Sequence, residues 1–230
     1  LHYPLRRQRQ MCIRDRFLPI YIAGIFAEMT AQGTVMSVMK VFGFVLIAAI
    51  IMHWIWLTVL YFTAGFLRKE NPLNLVKNML PAYFTALGTM SSAATIPVTL
   101  TQAKSNGVSE GVANFSIPLL ATIHLSGSTI TLVSCSTAAM LVLPQLDLVS
   151  IPTMIGFILM LGIIMIAAPG VPGGSVMAAS GILASILGFG EGAIGLMIAL
   201  YMAQDGFGTA TNVTGDGAIS LIVDLSLIHI

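Results

Sequence analysis

The chain has 230 residues, of which 57% are hydrophobic and only 8% charged, with a mean hydropathy of +0.94. That composition marks an integral membrane protein, and the long continuous apolar runs favour helices over the roughly ten-residue alternation of outer-membrane barrels. The net charge is only +1, every Lys and Arg lies at or before Lys104, and five of the ten fall in the first sixteen residues, so nothing outside that tail offers a basic face to nucleic acid.

Residues 1–16 lack the apolar core and small-residue cleavage site of a signal peptide. They are expected to be translated foreign sequence, as are residues 226–230. Residues 17–68 are expected to hold the end of one transmembrane helix, Phe17 to Met29, and a full crossing, Val35 to Leu67, long enough to span with tilt. His53 in that crossing reads as a packed interior residue. Arg68 to Lys77 carries three positive charges and is cytoplasmic by the positive-inside rule. From Lys77 to Lys104 the chain is uncharged but interrupted by Ser91-Ser-Ala-Ala-Thr-Ile-Pro97, where Pro97 removes a backbone donor. Two half-helices of about twelve residues, each about 18 Å long, cannot each cross a bilayer. They can enter and return as a re-entrant hairpin; a single kinked span, with Lys104 outside, is the alternative.

Val112 to Leu143 is broken near its centre at His124-Leu-Ser-Gly-Ser-Thr129, and the following loop around Pro144 and Asp147 has the look of an external one. Ile151 to Leu187 repeats the hairpin pattern about Ala168-Pro-Gly-Val-Pro-Gly-Gly-Ser175, whose prolines and glycines preclude a regular helix. Residues 69–225 thus read as hairpin, broken helix, hairpin and striped helix. Interrupted apolar segments at corresponding places in two halves point to a secondary-transporter site at mid-depth. Cys12 and Cys135 offer neither a disulfide framework nor a metal-binding spacing.

The stripe lies in the last segment. Asp205, Thr209, Asn212 and Asp216 fall within an arc of about 60° on a helix. In so apolar a chain such a stripe faces protein or trapped water rather than lipid, and it reads as a ligand and cation site. Two other readings of these residues stay open: a solvated turn at the Asp-Gly and Gly-Asp-Gly dipeptides, and a structural polar seam between helices. An aspartyl protease is excluded, because residues eleven apart lie about 16 Å apart along the axis and cannot share a proton. A simple ion channel also suits a lining of Ser, Thr and carbonyl groups.

Four motifs then converge in order and spacing: Ser91-Ser-Ala-Ala-Thr-Ile-Pro-Val-Thr99, Pro118-Leu-Leu-Ala-Thr-Ile-His-Leu-Ser-Gly-Ser128, Gly170-Val-Pro-Gly-Gly174, and Asp205 through Asn212-Val-Thr-Gly-Asp216. Over roughly residues 17–224 the chain resembles the dicarboxylate/amino acid:cation symporters, the family of glutamate transporter homologues. The resemblance implies an all-α membrane protein with two re-entrant helical hairpins, at 72–106 and 151–188, and two transmembrane helices, the broken one at 110–143 and another at 191–224. It also implies a multi-pass protein of the prokaryotic inner membrane that forms a homotrimer, with most of the trimerisation scaffold outside this chain. No cofactor is implied, and Na⁺ would be the coupling ion.

Carried over by motif, Asp205 would bind the substrate ammonium, with Thr209 and Asn212 also in contact. Ser92 and Asn212 would hold the α-carboxylate, Ser91 and Ser128 would complete the substrate set, and Gly170, Val171, Pro172 and Gly173 would form the outer gate. One sodium would sit at Asp216 and Asn212 with carbonyls near Leu120 and His124, and a second between Thr122 and the carbonyls of Met165, Ile166 and Ala168. Unwound backbone supplies such oxygens without added charge.

Three departures bear on function. The family's Asn-Met-Asp-Gly-Thr reads His124-Leu-Ser-Gly-Ser128, which puts Ser126 at the acidic position. Gly208 and Met90 occupy the two places where family members accepting acidic substrates carry an arginine. The expected substrate is therefore a small neutral amino acid such as serine, threonine or alanine, with a dicarboxylate or acidic amino acid, coupled to Na⁺ or H⁺, as the alternative. His124 further suggests pH-sensitive transport, since imidazole switches near neutral pH, unless it is a neutral ring hydrogen-bonded in the helix break.

Overall fold

The computed structural model describes residues 20, 23, 24, 26–31, 33 and 35–228. The expected tail at 1–16 and positions 229 and 230 of the one at 226–230 lie outside the described residues. After short helical turns up to residue 31, the chain forms α1 (Val35–Arg68), α2 (Pro72–Thr89), α3 (Ser92–Ser105), α4 (Glu110–Ile123), α5 (Ser126–Val142), α6 (Ile151–Met165), α7 (Gly174–Leu187), α8 (Glu191–Met202) and α9 (Asp205–Ile228). No strand occurs among the described residues.

α1 owes its length to an uninterrupted apolar sequence and its orientation to one narrow stripe. Ala49, His53, Leu57, Tyr61 and Ala64 are buried at helical spacing, while Phe44, Ile47, Ile51, Ile55, Phe62 and Phe66 remain exposed, as on a lipid-facing helix. Among the described residues two stretches are long and apolar enough to cross a bilayer: Val35–Arg68, and Glu110–Val142 taken across its break. At its C-terminal end α1 is tied to α9, because Arg68 donates from Nη1 to Asp224 Oδ2 at 3.0 Å, and to the loop before α4 by donating from Nη2 to the Gly107 carbonyl at 3.1 Å.

The helix breaks follow local chemistry. Asn71 caps α2 by accepting from the Leu73 N–H at 2.9 Å, with Pro72 at the first position, where no donor is needed. Met90 ends α2 in the left-handed region, at φ 50°, and Ser91 caps α3 by accepting from the Ala94 N–H at 3.2 Å. The turn of the first hairpin is therefore Met90-Ser91; Pro97, expected in the interruption, lies inside α3. In the second hairpin α6 stops at Met165 and α7 starts only at Gly174, entered through Gly173 at φ +71°, a backbone state that favours glycine. The break expected at His124 to Thr129 is shorter in the structure: only His124 and Leu125 separate α4 from α5, and Ser126 to Thr129 form the first turn of α5. The expected helix at 191–224 is itself interrupted at Ala203-Gln204, so the polar stripe opens a new helix with Asp205 at its head.

α9 is the axis of the structure. It packs against α1, α2, α3, α4 and α5, and nearly every residue from Asp205 to Leu221 is buried. A helix buried all round has no lipid face. One apolar cluster joins α1–α4 to α9; a second joins α5 through α8. Residues 126–131 of α5 lie against α1 and α9, at the level of the α9 stripe.

Candidate functional site

Two helix N-termini meet the α9 stripe, one at Asp205 and one at Asn212, and a third meets the Gly170 turn beside them. At α7, the Gly173 N–H donates to Asp205 Oδ2 at 2.8 Å. At α5, the Gly127 and Ser128 N–H groups donate to Asn212 Oδ1 at 2.8 and 3.3 Å. At α3, the Ala93 N–H and the Ser91 hydroxyl donate to the Gly170 carbonyl at 3.4 and 2.9 Å. The first-turn N–H groups of a helix carry partial positive charge, so this is a place where a carboxylate is stabilised without a Lys or Arg. Asp205, Thr209, Asn212 and Asp216 are 3%, 4%, 1% and 1% exposed, which puts the whole stripe in the protein interior.

Most of the expected substrate set comes together here. Thr209 donates to Asp205 Oδ1 over a long 3.4 Å, and Asn212 Nδ2 donates to Ser128 Oγ at 2.9 Å. Ser92 is buried beside Ser91 at the tip of the first hairpin, and Gly170 joins that tip to the second hairpin. Gly170 is required by close approach: a Cβ there would lie 2.9 Å from the Ala121 carbonyl oxygen. Val171 and Pro172 sit exposed on the outer side of the turn.

The expected cation ligands divide. His124 Nδ1 lies 2.8 Å from Asp216 Oδ1, its Nε2 lies 2.9 Å from Ser126 Oγ, and Trp56 Nε1 donates to that oxygen at 3.0 Å. A neutral imidazole carrying its proton on Nδ1 satisfies every group in this chain, because indole only donates and the Ser126 hydroxyl can then donate to Nε2. The Leu120 carbonyl accepts the His124 N–H at 2.8 Å. Of the second set, Thr122 is exposed and turns its hydroxyl to the Leu119 carbonyl at 2.7 Å. The Met165 carbonyl accepts the Ala168 N–H at 3.2 Å, Ala168 is buried and Ile166 is 60% exposed. The contact between these two segments is made at Gly170 and Ala121.

The profile of the sodium:dicarboxylate symporter family matches residues 10–226. The chain belongs to that family. Excitatory amino acid transporter 1 of Homo sapiens is 30% identical over 209 residues, covering 88% of this chain and 37% of that protein. The serine/threonine transporter SstT of Acinetobacter baylyi is 31% identical over 215 residues, covering 90% of this chain and 53% of that protein. The chain thus spans between about a third and a half of the length of these curated relatives, 37% and 53%.

The family is one of symporters, transporters and not enzymes, whose description names sodium, and the all-α structure of the described residues agrees with membership in it. Against that background the structure gives several residues contacts that sequence reasoning did not assign, while His53 is buried as expected. Trp56 reaches Ser126, and His53 Nε2 lies 3.0 Å from the Gly127 carbonyl, so α1 supports the break between α4 and α5. Gly127 and Gly208 form the crossing of α5 and α9: a Cβ on Gly127 would lie 2.3 Å from the Gly208 carbonyl oxygen. Tyr201, fully buried, stands one helical turn before Asp205 in sequence, and that spacing was the one available signal for it.

Proposed function

We propose that the chain is the transport core of a sodium-coupled symporter for a small neutral amino acid, working by alternating access. The observation that carries this reading is one buried stripe on which the α7 and α5 N-termini hold Asp205 and Asn212, with the α3 tip joined to the adjoining Gly170 turn and Gly208 and Met90 where a cation would stand. Asp205 takes the substrate ammonium. Ser91, Ser92 and the Asn212 amide hold the α-carboxylate, with Thr209 and Ser128 at its side. An acidic substrate would bring a second carboxylate into a site without a guanidinium to receive it, and an unpaired buried charge is expensive. The name of the serine/threonine relative supports the neutral reading, whereas the family's own description names dicarboxylates.

The turn from Gly170 to Gly173 serves as the outer gate, latched to Ser91 on one side and to Asp205 on the other. Sodium occupies the oxygen-lined region of Asp216, Asn212 and the carbonyls of Leu120 and His124; a second site uses Thr122 with the carbonyls of Met165, Ile166 and Ala168. Residues 69–225 act as the moving unit, with α2–α3 and α6–α7 as re-entrant hairpins, in a multi-pass protein of the bacterial inner membrane that assembles as a homotrimer. Uptake of labelled serine into proteoliposomes under an inward sodium gradient tests the reading. Uptake that needs the gradient and is blocked by alanine and threonine supports it; inhibition by aspartate alone overturns it.

A further inference from the structure

Four buried polar side-chain atoms lack a hydrogen-bond partner among the described residues: His53 Nδ1, Gln204 Oε1, Thr214 Oγ1 and the Tyr201 hydroxyl. His53 and Gln204 engage a second polar atom elsewhere, His53 with the Gly127 carbonyl and Gln204 with Cys135 Sγ. Tyr201 differs from these two in that its single side-chain polar atom is the orphan, in a ring that is 0% exposed. It differs from Thr214 in its surroundings, because its hydroxyl comes close to the side chains of Asp205, Ser128 and Ser175, near enough for weak hydrogen bonds, yet closes a well-aligned one with none of them. Two of those belong to the proposed substrate site, and the third is on the first turn of α7, two residues beyond Gly173.

Two of the three neighbours already hold other groups. Asp205 Oδ2 accepts from Gly173, and Ser128 Oγ accepts from Asn212. A buried hydroxyl without a good partner is destabilising, and a phenylalanine ring would fill the same space without that cost. A group that arrives beside Asp205 and completes the pairing of this hydroxyl would give it a use that phenylalanine could not serve. We propose that Tyr201 is a specificity-determining residue of the substrate site, whose phenol hydroxyl hydrogen-bonds the side-chain hydroxyl of a small β-hydroxy amino acid and so favours serine or threonine over alanine. A substrate hydroxyl can accept from one partner and donate to another, so with Ser128 and Ser175 beside it the bound group is satisfied in both senses. Alanine offers a methyl group and leaves the phenol unpaired, and a site with an unpaired buried polar group discriminates strongly against the analogue that causes it.

This inference rests on the neutral-substrate reading, and one experiment separates the two. Initial uptake rates of labelled serine and labelled alanine are measured with the full-length protein in proteoliposomes, wild type and Tyr201→Phe. The wild type is expected to prefer serine. In Tyr201→Phe the ratio of kcat/KM for serine to that for alanine should fall by about 3- to 10-fold, the worth of one neutral hydrogen bond, with alanine alone changing less than about twofold. Because both substrates are read on the same protein, a loss of folded transporter cancels from the ratio. An unchanged ratio, whether both rates persist or both fall together, overturns the role of Tyr201 and leaves the neutral-substrate reading standing. A wild type that carries acidic substrates and neither serine nor alanine overturns both.

Discussion

Gly208→Arg places a guanidinium three residues after Asp205. A Cβ at this position would lie 3.0 Å from Thr131 Oγ1 and 3.4 Å from both the carbonyl carbon and the oxygen of Gly127, so the new side chain starts inside the α5–α9 crossing. Overpacking of this kind costs about 1–3 kcal/mol. The better helix propensity of arginine offsets about 0.8–1 kcal/mol of it. Once in place, the guanidinium has Asp205 as a carboxylate one turn back on the same helix. That contact competes with the substrate ammonium, and a charge-assisted hydrogen bond is worth about 1.5–3 kcal/mol, or about 10- to 150-fold in affinity. The KM for serine should therefore rise at least about tenfold. Aspartate, whose second carboxylate can hold the guanidinium bidentately, should become an inhibitor. Adding Thr131→Ala removes the hydroxyl that meets the new Cβ and should recover folded protein without restoring serine affinity. The assay is competition of labelled serine uptake by unlabelled aspartate, alongside the melting temperature of each variant in detergent. An unchanged serine KM and no inhibition by aspartate, in a variant that melts like the wild type, would refute the placement of Gly208 beside the site.

Asp216→Asn should abolish the sodium stimulation of uptake, since its carboxylate is 1% exposed and is the acidic group of the proposed cation site; a normal sodium titration would remove that site from the account. His124→Asn takes away the ring held 2.8 Å from Asp216 and frees that oxygen for a cation, so half-maximal uptake should need about 3- to 10-fold less sodium. An unaltered titration would show that the pair does not compete with the ion. Gly127→Ala drives a Cβ to 2.3 Å from the Gly208 carbonyl oxygen and 2.6 Å from Thr211 Cβ, where backbone cannot yield easily. Its melting temperature should drop by about 5–10 °C, and a wild-type value would mean that the two helices are not in contact there.

Composition, breakers and the stripe made much of this arrangement legible in the sequence. The Gly and Pro cluster at 168–175 announced the open turn between α6 and α7, and the spacing of Asp205, Thr209, Asn212 and Asp216 announced one buried face of α9. What misled was proline taken as a stop: Pro97 is inside α3, where loss of one donor is tolerated, and the break falls at Met90 and Ser91 because a left-handed residue and a side-chain cap end one helix and start the next. The Ala203-Gln204 interruption has no breaker residue at all. It places Asp205 at a helix head, and only tertiary contact from Gly173 and the surrounding helices explains it. Tyr201 and Trp56 escaped notice for a related reason: an aromatic residue in an apolar helix reads as core, and its polar tip gains meaning only from what faces it across the packing.

The central claim is that this buried site accepts a neutral amino acid together with sodium. It is tested most directly by sodium-driven uptake of labelled serine into proteoliposomes holding the full-length protein, with unlabelled alanine, threonine, aspartate and glutamate as competitors. The account predicts uptake that collapses when sodium is replaced by choline, inhibition by threonine and alanine, and no inhibition by the two acidic amino acids. Serine uptake indifferent to sodium, or blocked by aspartate and not by threonine or alanine, would contradict it.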